Sequence, residues 1–218
     1  MNMKTLAVAA AAAAVMLSPG LASASFVLDT GTPTGSAAPT ILSTSQWLAG
    51  EFAVTAGEDI TDLSAYLTQG VGQPGNTFTF DIYSSSGFTS RPSSRPAPVF
   101  TTTGTFANNG WQTTAVNWTP TSSGTYWLAL QVASTSDTRG LDAPSESSAS
   151  TGTVPALAFA YAGSSGQYST SGAPSIGLEV TASSPVPLPP SLWLLGSGLL
   201  VGLGSAVRRR PAGSAPQC

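Results

Sequence analysis

The side chains able to do chemistry in this chain are few and of two kinds. Trp47, Trp111, Trp118 and Trp127, with Tyr66, Tyr83, Tyr126, Tyr161 and Tyr168, offer flat faces of the sort that stack on the apolar side of pyranose rings. In the run Tyr126 to Val132, strict alternation sets Trp127 on the face opposite Tyr126, Leu128 and Leu130. Trp111 follows Asn108-Asn109-Gly110, a turn signal, and Trp47 opens another alternating run. Trp47, Trp111 and Trp127 are therefore the candidate sugar-binding residues. The competing reading is that large aromatics fill a core.

The second kind is carboxylate. Glycoside hydrolysis needs only two acids facing each other across a groove, and Glu51, Glu58, Asp59, Asp62, Asp81 and Glu179 are of the right type, although nothing in their spacing pairs any two. Glu58, Asp59 and Asp62 crowd one turn and supply hard oxygen, which calcium takes, but they match no calcium-loop spacing. A charged, solvated turn is the simpler expectation. With no histidine among the 218 residues, Ser-His-Asp and Cys-His catalysis and a His-ligated metal are excluded. The sequence thus predicts a non-enzyme with no metal or other cofactor.

Charge narrows the partners. All ten acids lie between the two hydrophobic ends, against only Arg91, Arg95 and Arg139 in the same stretch, a net charge of −7. Such a surface repels phosphate, which disfavours nucleic acid as a partner. Cys218 is the only cysteine, which rules out an intrachain disulfide.

The elements that must position these residues read as strands. Phe78, Phe80 and Ile82 alternate with Thr77, Thr79 and Asp81. Leu48, Phe52 and Val54 share one face around Gly50; Leu63, Ala65 and Leu67 share another. Leu157, Phe159 and Tyr161, then Ile176, Leu178 and Val180, repeat the period of two. Turns separate them at Gly57-Glu58-Asp59, at Gly72 to Asn76, and at Asn109-Gly110, which suits a tight hairpin. Eight or nine short strands without an amphipathic helix predict an all-β fold, an antiparallel β-sandwich of jelly-roll-like kind. The absence of a fixed repeat period argues against a β-helix. Ser84 to Pro98 and Ser134 to Thr153 do not read as strands and are expected to be connectors.

The ends carry addresses. Residues 1–24 have Lys4, an apolar run from Leu6 to Leu17, the helix-breaking Ser18-Pro19-Gly20 and the small-residue pattern Ala22-Ser23-Ala24, which together predict a signal peptide cut by signal peptidase before Ser25. The sandwich domain is expected at 25–181 and a small, polar linker with a proline motif at 182–190. Residues 191–207 are uncharged and, at about 1.5 Å per residue, fall a little short of the ~30 Å hydrocarbon core; counting from Leu188 or Pro189 closes the gap, which predicts a thin membrane-spanning helix. Residues 208–218 form a basic tail in which Arg208, Arg209 and Arg210 are retained on the cytoplasmic side.

Val186-Pro187-Leu188-Pro189-Pro190, the span beginning Ser191-Leu192-Trp193-Leu194-Leu195-Gly196, and the three arginines together resemble the PEP-CTERM sorting signal of bacterial proteins associated with exopolysaccharide. The chain has Pro187-Leu188-Pro189 where that family has Pro-Glu-Pro, and Pro211 to Cys218 extend past the arginines. The resemblance implies recognition by an exosortase, a membrane protease-transpeptidase that removes the tail. It also implies export, inner-membrane anchoring, and a later life at the cell surface or in an extracellular polysaccharide matrix. Gln46 to Phe52, Gly110-Trp111 and Ser123 to Leu130 are similar to the exported choice-of-anchor β-sandwich domains that precede such tails. Carbohydrate binding through exposed Trp and Tyr is the alternative role.

Overall fold

The computed structural model describes residues 24–34, 40–70, 74–132, 141–146 and 152–183. The predicted signal cleavage residue Ala22, the sorting motif, the span and the arginines lie outside them.

Among the described residues there is no helix, and fourteen strands follow one another. They are β1 (Ala24–Asp29), β2 (Thr40–Ile41), β3 (Trp47–Val54), β4 (Asp59–Leu67), β5 (Thr77–Ser84), β6 (Phe100–Thr105) and β7 (Gly110–Trp118), continuing with β8 (Gly124–Gln131), β9 (Asp142–Ala143), β10 (Ser145–Glu146), β11 (Phe159–Ala162), β12 (Tyr168–Ser169), β13 (Ser175–Ile176) and β14 (Leu178–Ser183). A four-stranded sheet has the order β1-β14-β4-β7, and a six-stranded sheet the order β12-β11-β3-β8-β5-β6. All the pairings are antiparallel, and β2-β9 and β10-β13 form two small ribbons. The fold is therefore antiparallel, all-β and sandwich-like, with one apolar core drawing on both sheets.

The period of two decides what enters that core. In β8, Tyr126, Leu128 and Leu130 face inward, in register with Phe52, Gly50 and Leu48 of β3 on one side and with Ser84, Ile82 and Phe80 of β5 on the other. Leu63 and Leu67 of β4 and Leu178 and Val180 of β14 meet them from the opposite sheet, all with no solvent exposure. Each such side chain contributes about 1.5–3 kcal/mol by leaving water. Two glycines leave room that this packing needs. A Cβ on Gly50 would lie 2.8 Å from Leu178 Cδ1, and one on Gly104 would enter the ring of Phe78.

Three expectations change on folding. Gly110 has the positive φ its turn signal predicts, at 127°, but the chain there passes from β6 in one sheet to β7 in the other, so no tight hairpin forms. The amide of Gln69 donates to Asn109 Oδ1 at 2.6 Å, which ties this crossing to the end of β4. At the domain's end, Ala182 and Ser183 belong to β14 and not to a linker, because Ala182 is fully buried and pairs with Ile60. Leu157 lies outside β11 and is 61% exposed, whereas Phe159 and Tyr161 pack against the core. At the other end Ala24 and Ser25 already lie in β1, opposite Ser183 and Ala182.

Candidate functional site

Part of the outer face of the six-stranded sheet is apolar as well. Its floor is made of small residues, Ala49 from β3, Ala129 from β8, and Ala160 and Ala162 from β11. Around that floor stand Trp47, Tyr83 and Trp127, placed by the alternation that sends Leu48, Ile82 and Leu128 into the main core, and Tyr168, which pairs with Ala162. Alanines leave a recess, and the segment between β5 and β6 fills it.

That segment includes Ser84 to Pro98, the stretch expected to be a plain connector. Phe88 is fully buried, stacked on Trp127 at 4.7 Å between centroids and 11° between planes, and it also meets Tyr168 at 4.3 Å and Tyr83 at 5.3 Å. Arg95 lays its guanidinium over Tyr168, Tyr83 and Trp47 at 5.1, 5.4 and 5.8 Å from the ring centroids. Such contacts are worth about 0.5–2 kcal/mol each, rising as water is excluded. Arg95 Nη1 donates to the Gly166 carbonyl at 2.9 Å, and Ser85 Oγ donates to Glu51 Oε1 at 2.7 Å. The segment is thus a strap, pinned at its start, middle and end.

Polar groups close the cluster. Gln131 Nε2 donates to the hydroxyls of Tyr168 at 3.1 Å and Tyr83 at 3.3 Å. Burial pushes the phenols of Tyr168 and Tyr83 upward. Burial also raises the Asp81 carboxyl, against the hydrogen bond from Thr101 Oγ1 at 2.6 Å and the nearby Arg95 charge. The Nε1 of Trp47 is buried and has no hydrogen-bond partner.

The three candidate sugar-stacking tryptophans do not share a surface. Trp127 is 4% exposed, and Phe88 covers its face. Trp47 is half-buried in the same cluster, beside Arg95 and Tyr168. Trp111 lies on β7 in the other sheet, half-buried, edge-on to Tyr66 at 5.6 Å, with Nε1 donating to Thr32 Oγ1 at 3.1 Å. Trp118 is a core residue against Tyr126 and Phe100. The acids proposed for calcium are each engaged locally. Glu58 Oε2 accepts from the Thr55 amide, Asp59 Oδ1 from Thr119 Oγ1, and Asp62 Oδ2 from Thr61 Oγ1. Among the described residues no three Asp, Glu, His or Cys side chains form a group that would hold a metal ion.

One carboxylate that sequence reasoning passed over is the best held. Asp29, on β1, accepts from the Gly31 amide at 2.9 Å, the Thr153 amide at 2.9 Å and Thr153 Oγ1 at 2.7 Å. Burial opposes its ionisation, but these donors outweigh burial and hold the carboxyl below the ordinary carboxylate range. Glu179 pairs with it across β1 and β14, and burial together with the Asp29 charge pushes Glu179 up. Thr153 is 124 residues away in sequence, so no local signal announces the contact.

No protein-family model matches the sequence, and no curated protein matches it either.

Proposed function

We propose that the chain is an exported, membrane-anchored surface protein of an extracellular polysaccharide matrix, non-catalytic, and trimmed at its C-terminal tail by an exosortase-type protease. The observation that carries this reading is the order of parts in the sequence. An apolar leader ending Ala22-Ser23-Ala24 precedes the β domain, and a proline motif, an uncharged span and Arg208 to Arg210 follow it. The strand order adds support. Taking the eight long strands β1, β3, β4, β5, β6, β7, β8 and β14 in sequence, the first, eighth, third and sixth make one sheet and the second, seventh, fourth and fifth the other, which is the jelly-roll order. That architecture serves many exported passengers and dictates no chemistry.

Removal of residues 186–218 is expected to move the protein from the membrane fraction to the medium, checked by fractionation and by intact mass of both forms. The mass of the native product also reports a cut before Ser25 and any cut near Pro187-Leu188-Pro189. Full-length protein found in the soluble cytosol with both ends uncut would end this reading.

Carbohydrate binding is the second reading, and Trp47 favours it. A half-buried ring beside a guanidinium offers a sugar a partly exposed stacking face. The expected result is retardation in a polysaccharide affinity gel that Trp47→Ala abolishes and Trp111→Ala preserves. Equal mobility of wild type and Trp47→Ala in every polysaccharide gel would remove it.

A further inference from the structure

The two main sheets have four edges, and three of them are guarded. β1 carries a bulge between Phe26 and Leu28, and Val154 bridges to its Asp29. β12 is two residues long. β7 is bulged near its end, where its ladder with β4 shifts register between Ala115 and Trp118, and its start is closed by the 107–110 loop, whose Ala107 amide and Asn108 and Gly110 carbonyls bond the Gln112 side chain.

β6 is different. It pairs with β5 in one unbroken register from Thr77↔Thr105 to Ile82↔Phe100, and Phe100–Thr105 holds no proline and no charge. The Phe106 amide bonds the Asn76 carbonyl, so alternation makes Gly104 and Thr102 the hydrogen-bonded partners of Phe78 and Phe80. The backbone amides and carbonyls of Thr101, Thr103 and Thr105 then point away from the sheet. Among the described residues they have no partner there, and all three threonines are exposed. Natural proteins blunt such edges with lysine, proline or a bulge, and β6 has none.

We infer that β6 is a pairing edge whose partner is β6 of a second copy of this chain. Antiparallel pairing about a two-fold axis at Thr103 sets Thr103 opposite Thr103 and Thr101 opposite Thr105, so every outward rung is threonine against threonine. No like charges meet on the pairing strands, although the domain as a whole is acidic. The Gly104 position, opposite Thr102 of the other copy, stays clear of bulk. A contact of one six-residue strand is smaller than a standard stable interface, so the association is weak in dilute solution and is favoured where chains are concentrated on a surface. The inference does not depend on the membrane reading.

The test uses the full chain in neutral detergent, with Cys218→Ser as background. Sedimentation equilibrium is expected to show a concentration-dependent dimer, and Thr103→Lys to weaken it at least tenfold while leaving the thermal unfolding midpoint unchanged. Under mild oxidation Thr103→Cys is expected to give a disulfide-linked dimer, and Asn117→Cys, exposed on β7, to give none. A chain that stays monomeric at every concentration overturns the inference. So does an association that Thr103→Lys leaves intact, as pairing through the apolar ends would be, or crosslinking equal at positions 103 and 117.

Discussion

Replacing Phe88 with alanine should destabilise the domain by about 3–5 kcal/mol, as much as a central core truncation and far more than the roughly 0.5 kcal/mol of an ordinary surface substitution. Phe88 sits in a segment of Ser, Pro and Arg, and on composition alone its loss would be nearly silent. Its burial says otherwise. The ring stacks on Trp127, touches Tyr83 and Tyr168, and occupies the recess above Ala49, Ala129, Ala160 and Ala162, none of which can grow to fill the space. Denaturant unfolding followed by tryptophan fluorescence checks this. Phe88→Leu should recover part of the loss, because it keeps most of the volume but not the stacked face. A loss below about 1 kcal/mol would show that the strap does not hold to the sheet.

Asp29→Ala should cost about 1.5–3 kcal/mol, since it removes a buried charged acceptor that two part-buried backbone amides and a hydroxyl bond. The same residue sets the sign of the acid response. A carboxyl held below its unfolded value contributes stability above the ordinary carboxylate range, about pH 4, and that contribution disappears as pH falls through the folded value. Asp81 and Glu179 run the other way. Burial raises both, so each stabilises the fold fully below its unfolded value and loses that contribution as pH rises through its folded one. Asp142, raised by burial as well, acts in the same sense, so stability should rise as pH drops from 7 toward the carboxylate range, and the Asp29 contribution should be lost below it. In Asp29→Asn that acid loss should be reduced, as read by unfolding midpoints across a pH series. An unchanged acid limb in that variant would reassign the loss to other carboxylates.

The long strands were legible because each shows its two faces to different surroundings. Phe78-Thr79-Phe80-Asp81-Ile82 and Tyr126 to Val132 carry that contrast in their residue types, and even Gly50 kept its place in the alternation. The second apolar layer was harder to read. Alternation correctly turned Trp127 away from the main core, but that face reads as solvent unless the strap is known to fold back over it, and Ser84 to Pro98 has no periodicity to say so. The one local clue was the alanines at 49, 129, 160 and 162, too small to be an outer surface with a purpose of its own. The ribbons β2-β9 and β10-β13 are two residues per strand, shorter than any period, and part of Ser134 to Thr153 joins them through Asp142–Ala143 and Ser145–Glu146. Trp47 is a candidate by residue type alone; its neighbours Arg95 and Tyr168 are 48 and 121 residues away, and nothing local groups them with it.

The pairing of β1 with β14 brings Ala24 opposite Ser183, so the polypeptide enters and leaves the domain side by side. A pull applied across those two points would part the ladder one rung at a time, like a zipper, instead of shearing all its hydrogen bonds together. Strain reaching the domain through both termini would therefore lift β1 away first, whereas a tether at one terminus alone never loads that seam.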